Sequence, residues 1–144
     1  MHVGAVMSTD VVTVTPDATV REAIARMMAA GIGAVAVCAG PRLAGIFTER
    51  DVLRLAAEEG DFRHLRVADV MTRRPVTATP DVLLVDAARL MGEYRVRHLP
   101  IVERDNLLGM IGIRDVLRAL VERGWSEHDA DARETARELL RRSD

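Results

Sequence analysis

The apolar positions of this chain change period from two to nearly four and back, and the whole cycle then occurs a second time. Near the start, "VVTVTP" is rich in β-branched residues and stops at Pro16, which cannot continue a ladder. Val20, Ala23, Ile24, Met27 and Met28 follow at three- and four-residue intervals, the spacing of one helix face. All five are therefore expected in the core. Thr19 with Glu22 three places on reads as a capping box, and Gly31 suits a left-handed stop. "IGAVAVC" is a continuous apolar run expected to form a buried strand. "AGPR" is a turn, "LAGIF" the returning hairpin strand, and "ERDVLRLAAEE" a second helix. The predicted order is β-α-β-β-α.

A shift of 64 positions lays the chain over itself without a gap. Between Val6–Arg54 and Val70–Arg118 we count 16 identities in 49 aligned positions. "VMSTDVVTVTPDATVREAIARM" matches "VMTRRPVTATPDVLLVDAARLM", and "LAGIFTERDVLR" matches "LLGMIGIRDVLR". The second copy repeats the element order. "PVTATP" is its opening segment. Leu83, Leu84, Ala87, Ala88, Leu90, Met91 and Tyr94 make the helix face. "VRHLPIV", "ERDN" and "LLGMI" form the hairpin, and "IRDVLRALVER" the closing helix. A copy this small buries little apolar surface alone, so the two are expected to pack together as a pseudo-two-fold pair. The division is residues 1–65 for the first repeat with its charged linker, 66–122 for the second, and 123–144 for a C-terminal helical extension. That extension would start at Ser126, with Ala132, Ala136, Leu139 and Leu140 as a thin apolar stripe and Trp125 as an anchor or seam residue.

Two copies of β-α-β-β-α, "VM…VTVTP" openings, "VRHLPIV" in the middle and "GIFTERDVL" at the end resemble a CBS-domain pair, the module named after cystathionine β-synthase. The resemblance covers roughly residues 3 to 122. It implies an α/β (α+β) fold of tandem repeats whose cleft holds two equivalent ligand sites. Such pairs bind adenosine-containing ligands such as AMP, ADP, ATP or S-adenosylmethionine, with no obligatory cofactor. They commonly form homodimers and regulate a partner protein. The resemblance is to the stand-alone bacterial members, so no attached enzyme is expected. A ligand-free dimerisation or protein-interaction scaffold is the alternative.

The family's G-h-h-T/S-x-x-D motif carries over residue by residue. In the first site, Asp51 would hold the ribose hydroxyls and Thr48 the ribose or phosphate, with Thr72, Val76, Thr77 and Val96 as the base wall. In the second, Asp115 would hold the ribose, with Ser8, Val12, Thr13, Ile32 and Ala34 as the wall and Arg97 and His98 near the phosphates. "GMIGIRD" departs from the motif, with Gly112 in place of the hydroxyl. Conversely, the first copy has Gly33 and Ala34 where the second has Arg97 and His98. Taken without the repeats, Thr48-x-x-Asp51 reads equally well as a helix cap, and a cap and a ligand grip are compatible.

Composition narrows the function further. Apolar residues are 49% and charged residues 29%, a globular balance. Net charge is −2 and aromatics are only 3%, so neither a basic field nor stacking rings point to nucleic acid. All 20 basic residues are Arg, which suits bidentate anion contacts wherever they cluster. Cys38 is the one cysteine and sits in an apolar run, expected as a buried small residue. The four His are scattered, without metal-ligand spacing. No nucleophile elbow, P-loop or close pair of motif carboxylates is present, so no enzyme activity is expected. No apolar run approaches a membrane span and no signal peptide is evident, which sets a cytoplasmic expectation.

Overall fold

The computed structural model describes residues 1–122 together with Glu134, Arg137 and Arg141. The expected helix start at Ser126, its apolar stripe and Trp125 lie outside the described residues. The element order is β1 (Thr13–Val14), α1 (Val20–Ala30), β2 (Ala34–Ala39), β3 (Arg42–Thr48) and α2 (Glu49–Ala57). A short helix α3 (Val67–Val70) and strand β4 (Thr72–Arg73) follow, then α4 (Leu84–Tyr94), β5 (His98–Glu103), β6 (Asn106–Gly112) and α5 (Ile113–Glu122). The β-α-β-β-α order is present in the first copy. In the second, the opening strand is reduced to one parallel bridge between Ala78 and Ile101.

The chain divides into two compact units that do not coincide with the sequence copies. One comprises Asp10–Pro75 with the β5–β6 turn residues Arg104–Leu107. In it β1 runs parallel to β2, β2 and β3 form an antiparallel hairpin, and β4 adds antiparallel to β3. Among the described residues up to 122, the other comprises Met1–Thr9, Val76–Glu103 and Leu108–Glu122. Each unit thus takes the short segment that precedes the other copy's opening.

The two cores show the same exchange. Val14, Val20, Ala23, Met27, Val35, Val37, Phe47, Leu55 and Val67 form one. Ala78, Leu84, Ala87, Met91, Leu99, Ile101, Ile111, Ala119 and Val3 stand 64 positions away in the other. Val67 sits in the first core and Val3 in the second. The backbone fixes both in the same way. Val67 N–H donates to Ala18 O at 2.8 Å and Ala68 N–H to Pro16 O at 2.9 Å. Val3 N–H donates to Val82 O at 2.8 Å and Gly4 N–H to Pro80 O at 2.9 Å. Burying each such aliphatic side chain is worth about 1.5–3 kcal/mol.

The first helix is built as its sequence predicts. The Thr19 hydroxyl accepts from Glu22 N–H, the Glu22 carboxylate accepts from Thr19 N–H, and Gly31 closes the helix at φ +64°. Met27 is buried, but Met28 is 79% exposed, so one of the five expected core positions faces outward. Val20, Ala23 and Met27 already fill the face turned to the sheet, and Met28 lies about 100° further round the helix. Tyr94 and Leu83 are likewise exposed, Leu83 standing at the N-cap rather than on the face of α4.

Candidate functional site

Both candidate sites lie where a hairpin strand feeds directly into a helix. In the first, Gly45 makes the approach of β4 possible. A Cβ there would lie 2.6 Å from Met71 Sδ and 2.6 Å from the Thr72 carbonyl. Three residues on, Thr48 is the extended N-cap of α2. Its N–H donates to Asp51 Oδ2 at 2.9 Å, and its hydroxyl donates to the same oxygen at 3.3 Å. The Arg54 guanidinium donates to Asp51 Oδ1 at 3.3 Å and to the Val70 carbonyl at 3.1 Å. Asp51 is 9% exposed, a buried carboxylate among mostly apolar neighbours. Three donors offset what burying that charge costs.

The second junction repeats the backbone and drops the side chains. Gly109 meets Met7 Sδ at 2.6 Å and the Ser8 carbonyl at 2.7 Å from its would-be Cβ, as Gly45 meets Met71 and Thr72. Gly112 N–H donates to Asp115 Oδ2 at 2.8 Å. Gly112 brings Asp115 no hydroxyl of the kind that Thr48 brings Asp51. His98 and Arg97 border the same spot, since a Cβ on Gly112 would have Asp115 Oδ2 at 3.5 Å, His98 Cδ2 at 3.6 Å and Arg97 O at 3.7 Å. Ile113 N–H donates to Arg97 O at 2.9 Å, just as Glu49 N–H donates to Gly33 O at 3.0 Å. The small residue at Gly33 leaves room for the Glu49 carboxylate, whose Cδ would lie 3.0 Å from a Cβ there. An acidic group therefore stands in the first unit where the second presents Arg97.

The residues expected around the first aspartate fall in both units. Thr48, Asp51 and Thr72 belong to one, and Val76, Thr77 and Val96 to the other. Thr72 pairs in register with Ile46. Of those expected around the second, Ser8, Arg97, His98 and Asp115 share a unit, with Ser8 and Met110 exchanging both backbone hydrogen bonds at 2.9 Å. Val12, Thr13, Ile32 and Ala34 belong to the first unit. There Ala34 lies opposite Thr48 and Thr13 opposite Ala36. Arg54 and Val70 were not singled out by sequence. The hint was the Arg three residues after each motif aspartate, in "RDVLR".

A separate apolar groove of about 480 Å³ runs between α1 and α2, lined among others by Ile24, Met27, Met28, Val52 and Leu53. Burial pushes the Cys38 thiol above its ordinary value, which keeps it protonated and unreactive. Among the described residues no cluster of His, Cys, Asp or Glu could hold a metal ion, and no helix is long and apolar enough to cross a membrane.

The family model for the CBS domain matches residues 3–58 and again 67–122. The CBS domain-containing protein YhcV of Bacillus subtilis is 34% identical over 110 residues, covering 76% of this chain and 79% of its own length. Arabinose 5-phosphate isomerase KdsD of Yersinia pestis is 36% identical over 120 residues, 83% of this chain, but the match spans only 35% of the isomerase. The crystal structure of CBSX2 in complex with AMP superposes with a TM-score of 0.76 at 26% identity, covering 84% of this chain and 96% of that one. The chain belongs to the CBS-domain family and carries the domain twice.

Proposed function

We propose that the protein is a non-catalytic regulatory module that binds an adenosine-containing ligand of the AMP, ADP, ATP or S-adenosylmethionine type and signals its occupancy through a homodimer to a protein partner in the cytoplasm. One observation carries the reading. Each strand-to-helix junction presents a motif aspartate held by its own N-cap amide, at the N-terminal end of a helix. A carboxylate fixed this way can accept from a ribose hydroxyl, and the helix N–H groups favour an anion beside it. The AMP named with the CBSX2 relative supports that ligand class. On this reading Asp51 and Asp115 take the ribose, Thr48 supports the first site, and Arg97 and His98 bring positive charge to the second.

The test is thermal unfolding with AMP, ADP, ATP, NAD and S-adenosylmethionine in turn. A ligand at a hundred times its Kd stabilises the folded state by about 2.7 kcal/mol, so an upward shift of the midpoint is expected. Asp51→Ala and Asp115→Ala should each reduce it. No shift from any of these compounds at millimolar concentration would sink the proposal.

A scaffold without ligand is the second reading, favoured by Gly112, which brings no hydroxyl to its junction. It requires partner capture that is indifferent to nucleotide together with the null unfolding result.

A further inference from the structure

We infer that Arg54 is a positioning residue for Asp51, tying the first ligand carboxylate to the strand that carries Thr72; this rests on the adenosyl reading above. The geometry is a closed ring of contacts inside one unit. Asp51 Oδ1 accepts from Arg54, and the same guanidinium nitrogen reaches the Val70 carbonyl. Val70 is the last residue of α3, where a helix leaves its carbonyls without intrahelical partners. Met71 N–H closes that end on Val67 O at 2.8 Å. Thr72 follows and pairs with Ile46 of β3, two residues before Thr48, which returns to Asp51. Asp51 and Thr72 are thus linked twice, through the sheet and through Arg54.

The arrangement settles which lone pairs remain for a ligand. Each carboxylate oxygen offers two acceptor sites. On Asp51 Oδ2, Thr48 fills both; on Oδ1, Arg54 fills one. The guanidinium fixes the rotation at which Oδ1 meets a ligand. A hydroxyl arriving there competes with or strengthens the Arg54 contact, and the change passes to Val70 and on to β4. Arg118 and Val6 occupy the equivalent places in the other copy, where no matching bond forms among the described residues. Among the described residues the device belongs to the first site.

The experiment titrates AMP calorimetrically into the native full-length chain, Arg54→Ala, Arg54→Lys, Asp51→Asn and the double variant Asp51→Asn/Arg54→Ala. It also follows hydrogen exchange at the Met71 amide. Arg54→Ala is expected to weaken AMP binding roughly fivefold, the scale of a half-exposed charged contact. Arg54→Lys should recover part of the loss. The double variant should bind no worse than Asp51→Asn alone, because the two residues act as one unit. AMP should slow Met71 exchange in the native protein and leave it unchanged in Arg54→Ala. Should Arg54→Ala melt below the titration temperature, Arg54→Gln replaces it with the same outcomes. Equal binding by the native chain and Arg54→Ala, or additive losses in the double variant, would overturn this role while the adenosyl reading stands. No binding by the native chain of AMP or of any other compound in the unfolding screen would overturn both.

Discussion

The amide of Gly112 holds Asp115 Oδ2 at 2.8 Å, and the space beside that bond is open. The nearest atoms to a Cβ at Gly112 are 3.5–3.7 Å away, ordinary contact distances. Gly112→Ser should therefore fold normally. A serine N-cap in place of glycine is worth only a few tenths of a kcal/mol, so the unfolding midpoint should barely move. On the proposed function the added hydroxyl should tighten AMP at the second junction. Calorimetric titration beside Asp115→Ala separates the two sites, and weaker binding by Gly112→Ser would count against a shared role for the two junctions.

Gly45 and Gly109 allow no such freedom. Each would push a Cβ to within 2.6–2.7 Å of a backbone carbonyl, Thr72 O or Ser8 O. A methionine side chain can move aside, but a paired strand carbonyl cannot do so cheaply. Gly45→Ala and Gly109→Ala should each lose about 1–3 kcal/mol, the scale of overpacking. Denaturant unfolding checks this, and unchanged midpoints would show that β4 or the Ser8 bridge yields easily.

Adjacent methionines should behave oppositely. Met27 is 5% exposed and Met28 79%. Met27→Ala should cost about 2–5 kcal/mol through lost burial and a cavity. Met28→Ala should stay within about 0.5 kcal/mol, as surface changes do. Equal losses in thermal unfolding would mean that Met28 is covered in solution.

Three exposed carboxylates contribute to the acid behaviour. The Thr15 hydroxyl holds Asp17, His64 holds Asp61 and the Thr79 hydroxyl holds Asp81, each lowering the carboxyl below its ordinary value of 3.8. The folded value is thus lower than the unfolded one. These contributions are whole above the ordinary carboxylate value and vanish as pH falls through the depressed folded value. Because all three groups are fully exposed, the effect should be small. Replacing Thr15 and Thr79 with Val should flatten the acid limb of the urea midpoint plotted against pH. A limb as steep as the native one would assign the acid loss to other groups.

The repeated elements were legible because periodicity is local. Thr19, Glu22 and Gly31 state the limits of α1 in the sequence itself, and the hairpins follow from apolar runs on either side of turn residues. The two junctions were legible through the echo of "GIFTERD" in "GMIGIRD". Residues whose roles depend on distant partners were not. Just past the expected division at residue 65, Val67 begins α3 and is buried among residues of the preceding copy. Thr72 was expected only as a wall residue, and the close approach at Gly45 makes it, with Arg73, a strand. Arg54 carries no signal of its own role in the sequence, because its partner Val70 stands 16 residues away. Met28 was misplaced because a three- and four-residue pattern marks a face without marking its edge.

The exchange of Val3 and Val67 gives the two halves unequal timetables during synthesis. The unit built from Asp10–Pro75 has nearly all of its core once β4 emerges, Val67 included, and needs only the β5–β6 turn to finish. The other unit must bring Val3 to Leu99, Ile101 and Ile111, so its earliest-made residues wait for its latest. Long-range closure of this kind is slow and leaves apolar surface uncovered meanwhile. The half containing Asp51 is therefore expected to assemble first, and the half containing Asp115 to close behind it on a segment held in reserve.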